Sequence, residues 1–490
     1  MSLASNFSTP RCPLLVDSTV KHHCGLFGIF GDPSAVSDTF IGLLAQQHRG
    51  QEGAGICSSN GEDIVRHACL GLVTQVFHPR ILKELQNPIA IGHVRYSTTG
   101  SCREANLQPM LIEHMGLQMA VAHNGNLINA ALIRGEYEHH GHIFQTTSDT
   151  ETIVHLLVKP THQSRNDAVL IAHVLNHLQG AFSLLFLYAD RIVAARDPWG
   201  IRPLCIGKKS NGALVVASET VALEKMDAQY LRDVEPGEIV TIDKKGLHSY
   251  FYVDKGQITP ANCIFEQIYF ADPSSDVFGE NVHMVRKAMG NQLAVESPVD
   301  ADAVIPVPNC ARCAALGYSE RSGIPLERGF TTSHYTGRSF FLPDQDMRDL
   351  AVRMKLSVIR PSVAGKRVIV VEDSVVRGTT TRGKMGALRK AGAKEIHLRV
   401  ASPPIRHPCF FGIDFPEADK LVAHQRTVEE VRDYLEIDSL HYLSIEGMLN
   451  CVRHPSDHYC AACFNGRYPM PVDQPVSKFA LERRQLRMFE

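Results

Sequence analysis

Residues 367–380 read RVIVVEDSVVRGTT. The apolar run 368–371 ends in the acidic pair Glu372-Asp373, the short loop Arg377-Gly378-Thr379-Thr380 follows, and a helix-forming segment occupies 381–391. Apolar strand, acidic edge, small-residue loop and helix is the order in which α/β proteins hold a phosphorylated sugar. Carboxylates at the strand end accept ribose hydroxyls, while loop N–H groups and threonine hydroxyls clasp a phosphate. A phosphate loop alone has many uses; the acidic pair beside it points to a pentose phosphate.

Outward from this stretch, apolar runs at 303–307 and 396–400 alternate with helical segments, a βαβ pattern that predicts a largely parallel sheet. Residues 24–255 read differently. Short β-like runs at 24–31, 91–96, 118–123, 181–188 and 191–195 enclose helical stretches at 38–47 and 148–157, which predicts a layered sheet-and-helix domain. With 490 residues the chain exceeds one ordinary core. The expected division is a leader at 1–23, a first domain at 24–255, a second at 256–470, and a tail at 471–490 that carries prolines and then charges.

Composition narrows the function classes. A 44% hydrophobic and 21% charged chain with a formal net charge of −2 has no global attraction for nucleic acid or anionic membrane. No apolar run is long enough for a membrane span, and residues 1–23 lack the apolar core of a secretion signal. Thirteen cysteines, an odd number spread over an α/β pattern, argue against a disulfide framework and for a reducing, cytoplasmic compartment.

Five short segments in the first domain carry chemistry: Cys24-Gly25, His48-Arg49-Gly50-Gln51-Glu52-Gly53-Ala54-Gly55, Arg95-Tyr96-Ser97-Thr98, His123-Asn124-Gly125-Asn126-Leu127 and Ser148-Asp149-Thr150-Glu151. Singly each has a plain reading: a core thiol, a hairpin turn at Asn124-Gly125, a helix-start carboxylate at Asp149. In this order and content they resemble the glutamine amidotransferase domain of the N-terminal-nucleophile class, and most closely that of the amidophosphoribosyltransferase family, over nearly the whole chain from Cys24 to about Val472. The resemblance implies an αββα-layered glutaminase domain followed by a type I phosphoribosyltransferase domain with a parallel sheet, an α/β plus α+β two-domain chain. It also implies that residues 1–23 are a propeptide, whose removal frees the α-amino group of Cys24 to act as general base for its own thiol. Asn124 and the Gly125 N–H match the oxyanion donors, Arg95 the residue that holds the glutamine carboxylate, and Asp149 the one that holds its ammonium.

The same resemblance assigns 372–380 to phosphoribosyl pyrophosphate. Glu372 and Asp373 match residues that hold the ribose hydroxyls and help to site Mg²⁺, and Arg377, Gly378, Thr379 and Thr380 match the 5′-phosphate loop. Arg338, Arg353 and Lys355 remain as cations in matching segments. Ammonia then displaces pyrophosphate at C1 to give 5-phosphoribosylamine, the entry step of purine synthesis. Three segments depart from the family. Its Pro-Val-Pro-Asp-Ser-Gly pyrophosphate loop is Pro306-Val307-Pro308-Asn309-Cys310-Ala311; its Lys-Asn-Arg-Tyr flexible loop is Thr332-Ser333-His334-Tyr335; and its Tyr-Phe-Ala-Arg-Pro-Asp-Ser is Tyr269-Phe270-Ala271-Asp272-Pro273-Ser274-Ser275. Each lost charged hydrogen bond costs about 1.5–3 kcal/mol. Two other outcomes therefore stand beside the full reaction: ammonia transfer to a different phosphosugar, and a phosphoribosyl-pyrophosphate or nucleotide sensor that has lost transfer.

Two C-x₂-C pairs, Cys310/Cys313 and Cys460/Cys463, lie too far apart for a local zinc ribbon. The family's iron–sulfur subgroup matches better, at Asn262-Cys263-Ile264-Phe265-Glu266, at Pro408-Cys409-Phe410 and at Tyr459-Cys460-Ala461-Ala462-Cys463. The resemblance thus implies a [4Fe–4S] cluster on Cys263, Cys409, Cys460 and Cys463. It further implies a homo-oligomer, a tetramer or dimer, and feedback inhibition by purine nucleotides.

Overall fold

The computed structural model describes residues 24–96, 102–158, 167–332, 356–414, 417–472 and 480–482. The expected propeptide 1–23, most of the tail, Ser97, Thr98, Ser333, His334, Arg338, Arg353 and Lys355 lie outside the described residues.

In the first domain a seven-stranded and a six-stranded antiparallel sheet stack face to face. The strand Gly25–Phe30 sits inside the first sheet between Leu214–Ala217 and Ile89–Arg95 and shows how sequence makes the layers. Alternate residues of a strand face opposite sides. Leu26 and Phe30 point between the sheets, into a core with Ile91, Ala122 and Leu185. Phe27 and Ile29 point outward, beneath the helix Ala35–Ala45 and its Leu43. Both faces are covered, so the strand reads as a nearly unbroken apolar run. The outer face of the second sheet packs Val121 and Phe182 against the helices Ala130–His139 and Thr150–Leu157. The order is helix, sheet, sheet, helix, the expected αββα layering.

The second domain is built on a four-stranded parallel sheet in the order Ala303–Pro306, Arg367–Glu372, Glu395–Val400, Ser439–Tyr442. The last strand is absent from the sequence reading; it is short, and its His441 is exposed, so no apolar run marks it. The helix after the acidic pair starts at Thr379, two residues earlier than the sequence pattern suggests. Gly378, with φ 76°, makes the turn, and the Arg382 N–H already donates to its carbonyl at 2.8 Å. Thr379 and Thr380 therefore belong to the first helical turn, and only Arg377 and Gly378 to the loop.

The altered segment 306–311 leads into the helix Arg312–Ser322, which crosses Val282–Glu296 at two glycines. A Cβ on Gly290 would lie 1.8 Å from the Ala314 carbonyl oxygen, and one on Gly317 would lie 2.0 Å from that of Lys287. The backbones touch where no side chain fits, which fixes the height of the loop above the sheet. Gly290→Ala is expected to lower stability by about 1–3 kcal/mol through overpacking. Chemical denaturation checks this, and an unchanged midpoint would show that the crossing is loose.

Candidate active site

The nucleophile candidate, Cys24, precedes the strand Gly25–Phe30 and is buried, its thiol donating to the Tyr96 carbonyl at 3.4 Å. Burial pushes the thiol pKa up, opposed by that hydrogen bond and by the Arg95 charge. Arg95 ends the neighbouring strand Ile89–Arg95 and donates to the Asn106 carbonyl at 2.8 Å. Asp149, at the N-terminus of Thr150–Leu157, accepts the Leu127 N–H at 3.0 Å, and the His123 ring nitrogen lies 3.6 Å from its carboxylate. Burial raises the Asp149 pKa, but His123, the Leu127 N–H and Arg95 overcome it, so the net shift is downward and the carboxylate stays charged. His93 is held neutral, its pKa pushed down to about 3 by burial and by Arg95.

Asn124 is fully buried, and neither polar atom of its carboxamide has a hydrogen-bond partner. A buried amide left without partners costs free energy, and such groups persist where they serve a ligand. Beside it, Gly125 tolerates no other residue, since a Cβ there would lie 1.9 Å from the Ala181 carbonyl oxygen. The fold thus brings Cys24, Arg95 and Asp149 into mutual electrostatic contact, and sets Asn124 and Gly125 on the strand Leu117–Leu127 that also carries His123.

At the other end, Glu372 closes the strand Arg367–Glu372 and Asp373 follows it. Lys384 Nζ lies 2.8 Å from Glu372 Oε1, while the buried Glu372 Oε2 has no hydrogen-bond partner. Asp373 accepts the Ser374 hydroxyl at 2.7 Å. Burial and then the Glu372 charge push the Asp373 pKa well above the usual carboxylate range. The altered loop does reach this site, for the Cys310 thiol interacts with Asp373, Glu372 and Lys384, and burial pushes its pKa up to about 12. Cys313 faces a different neighbour, the His283 ring nitrogen at 3.2 Å. Lys384 is missing from the sequence reading. The signal was its position: three residues after buried Thr381 and four before buried Leu388, on the inward face of its helix.

Cys263, Cys409, Cys460 and Cys463 come together from three segments. Asn262–Cys263 pairs in parallel with Tyr459–Cys460, and the Arg406 and His407 N–H groups both donate to the Cys463 carbonyl at 3.0 Å. All four thiols are free, and the charges of Cys263, Cys409 and Cys460 act on Cys463. Burial raises every one of their pKa values, that of Cys263 to about 11. Among the described residues no group of three or more His, Cys, Asp or Glu side chains is arranged to hold a metal ion.

Between the two ends runs a buried charge network. Arg49 donates through Nε to the Cys24 carbonyl at 3.2 Å, pairs with Glu219, and reaches both Glu266 oxygens at 2.9 Å. Arg202 binds the same Glu266 at 3.1 Å and the Phe411 carbonyl at 2.7 Å. Glu219 also accepts the Asp272 N–H and the Ser275 hydroxyl, both at 2.8 Å. Asp272 itself caps Ser274 at 2.9 Å, so this departure from the family pattern serves as a turn at the seam. Asn126 adds a second tie, donating to the Phe410 carbonyl at 2.8 Å. Arg49 and Glu266 stand inside motifs quoted from the sequence, but nothing in sequence marks them as partners across domains.

Removing Glu266 leaves Arg49 and Arg202 buried with less counter-charge. Glu266→Ala is expected to cost about 3–5 kcal/mol, read as a shifted denaturation midpoint; a loss below about 1 kcal/mol would mean that the pair is solvated. Asp373 has the opposite sense. Because its folded pKa is raised, the native state binds the proton more tightly than the unfolded chain. Its contribution to stability therefore falls as pH rises from the ordinary carboxylate range through the raised value. Asp373→Asn is expected to match the wild type at about pH 4 and to be more stable at about pH 8, by urea denaturation. Equal stability at both pH values would contradict the crowding of the two carboxyls.

The geometry agrees with what the chain is similar to. A family model for a glutamine amidotransferase domain matches residues 93–225. The amidophosphoribosyltransferase of Methanothermobacter thermautotrophicus is 42% identical over 96% of this chain and 99% of its own length. The chloroplastic amidophosphoribosyltransferase of Glycine max is 44% identical over 94% of this chain and 80% of its own. The structure of the glutamine phosphoribosylpyrophosphate amidotransferase from B. subtilis, complexed with ADP and GMP, superposes with a TM-score of 0.86 at 44% identity, covering 92% of this chain and 98% of that one. The chain belongs to the amidophosphoribosyltransferase family.

Proposed function

We propose that Cys24 and the Glu372-Asp373 pair are the two ends of one reaction. As an amidophosphoribosyltransferase, the chain transfers ammonia from glutamine to C1 of 5-phosphoribosyl 1-pyrophosphate, giving 5-phosphoribosylamine, glutamate and pyrophosphate, the first step of purine biosynthesis. The observation that carries the assignment of residues is the fully buried Asn124 carboxamide without partners, beside a glycine no other residue can replace. Arg95 holds the glutamine carboxylate and Asp149 its ammonium. The Cys24 thiol gives its proton to the freed α-amino group and attacks the amide carbonyl. The Asn124 amide and the Gly125 N–H take the negative charge of the tetrahedral intermediate, which collapses to a glutamyl thioester and ammonia. Water then releases glutamate.

At the second end, the helix Thr379–Lys390 presents its first-turn N–H groups, Thr379, Thr380 and Arg377 to the 5′-phosphate. Glu372 Oε2 and Asp373 accept the ribose hydroxyls. Asp373 would be the carboxylate that helps to hold Mg²⁺, which would neutralise charge on the departing diphosphate. Cys263, Cys409, Cys460 and Cys463, four free thiols brought together from three segments, would hold a [4Fe–4S] cluster, a donor set of the kind such a cluster takes. Bound there, the cluster ties the C-terminal segment to the link between domains. Purine nucleotides as feedback ligands, a homo-oligomer and a cytoplasmic location complete the reading. The ADP and GMP of the B. subtilis structure support the first; the last is supported by the free cysteines, and among the described residues no helix is long and apolar enough to cross a membrane. A sensor without turnover would have no use for Cys24, Asn124 and Asp149 together, and the relatives' names favour phosphoribosyl pyrophosphate over another phosphosugar.

Asn124→Ala is expected to lower glutamine-dependent kcat about 10²–10³-fold while leaving ammonia-dependent product formation intact. Cys24→Ala is expected to abolish the first activity alone. An anaerobic coupled assay of pyrophosphate release, run with glutamine and then with ammonium, reads both. Equal loss with either nitrogen source would remove these residues from the glutamine step.

A further inference from the structure

The acidic pair contains its own cation. We propose that Lys384 is the resident counter-ion of Glu372 and Asp373, so that the chain binds the ribose 5-phosphate end of its substrate without a divalent metal. The inference rests on the assignment of ribose to this pair. Three observations carry it. Lys384 Nζ is 2.8 Å from Glu372 Oε1, with the lysine side chain 15% exposed and the glutamate 8%, so the contact is shielded from solvent. Glu372 Oε2 is left buried without a partner, an acceptor aimed at a ligand that donates. Among the described residues the other cation acting on Asp373, Arg286, donates to the Gln267 and Ala271 carbonyls at 2.7 and 2.9 Å.

The chemistry follows from charge and donor type. Two adjacent carboxylates, one buried and one partly buried, attract a divalent cation when nothing else neutralises them. An ammonium on one of them supplies that neutralisation, occupies an oxygen lone pair that a metal would use, and repels a second cation. What remains, Glu372 Oε2 and Asp373, is an acceptor set for hydroxyls. The helix that bears Lys384 opens on the phosphate loop, so one rigid element places both the phosphate donors and the counter-ion.

Isothermal titration of ribose 5-phosphate into the full chain, purified anaerobically, tests this in EDTA and in millimolar Mg²⁺. The wild type is expected to bind within about twofold in the two buffers. Lys384→Met is expected to bind about tenfold or more weakly in EDTA and to recover with Mg²⁺, and Lys384→Arg to behave as the wild type. Wild-type binding that tightens tenfold or more with Mg²⁺ overturns the proposal, whether or not Lys384→Met folds, as does a folded Lys384→Met that binds normally in EDTA. No binding in either buffer overturns the ribose assignment itself and the inference with it.

Discussion

Everything in this chain hangs on four buried charges. Arg49, Glu219, Glu266 and Arg202 are each no more than 1% exposed, and they meet where the two domains join. Burying four ions is costly unless each is paired and hydrogen-bonded. Here each is: burial drives the Arg49 pKa down, but Glu266 and Glu219 raise it further, while burial raises that of Glu219 and His48 and Arg49 pull it below the usual range. Arg49 and Glu219 therefore stay ionised, and the cost of burying the network is recovered only if both domains hold their positions. Arg49 extends that requirement to the candidate site, because the guanidinium that meets Glu266 also holds the Cys24 carbonyl.

The four cysteines serve the same seam. Cys263 lies three residues before Glu266, and Cys409 two before Phe411, whose carbonyl Arg202 holds. Asn126, two residues beyond Asn124, holds the Phe410 carbonyl. The segment that holds Cys409 thus touches the strand that carries Asn124 and Gly125.

Much of the fold was legible because local chemistry decided it. Gly25–Phe30, Gly180–Leu187 and Arg367–Glu372 are apolar on both faces and could only be interior strands. Ser439–Tyr442 was not legible, since its place comes from pairing with Glu395–Val400 and not from its own residues. Cys24, Asn124 and Gly125 were singled out by the family resemblance of five motifs in order, and the acidic pair by its place at a strand end. Lys384 and the Arg49–Glu266 contact were not, because each depends on a partner distant in sequence, and a basic residue in a helix or after a histidine ordinarily reads as solvated. The pyrophosphate loop shows the same limit. Sequence showed that Cys310 and Cys313 replace or follow polar positions; only the fold separates them, one thiol beside the acidic pair and the other on His283.

In the proposed reaction, nitrogen released at Cys24 crosses the seam to the sugar at Glu372-Asp373. Amide-¹⁵N glutamine in a buffer holding excess unlabelled ammonium tests this directly, with the isotope content of the phosphoribosylamine read by mass spectrometry. Delivery across the seam predicts product nitrogen that is predominantly ¹⁵N. Product at the isotopic ratio of the buffer would mean that ammonia escapes to solvent first, and that the buried network does not join the two sites.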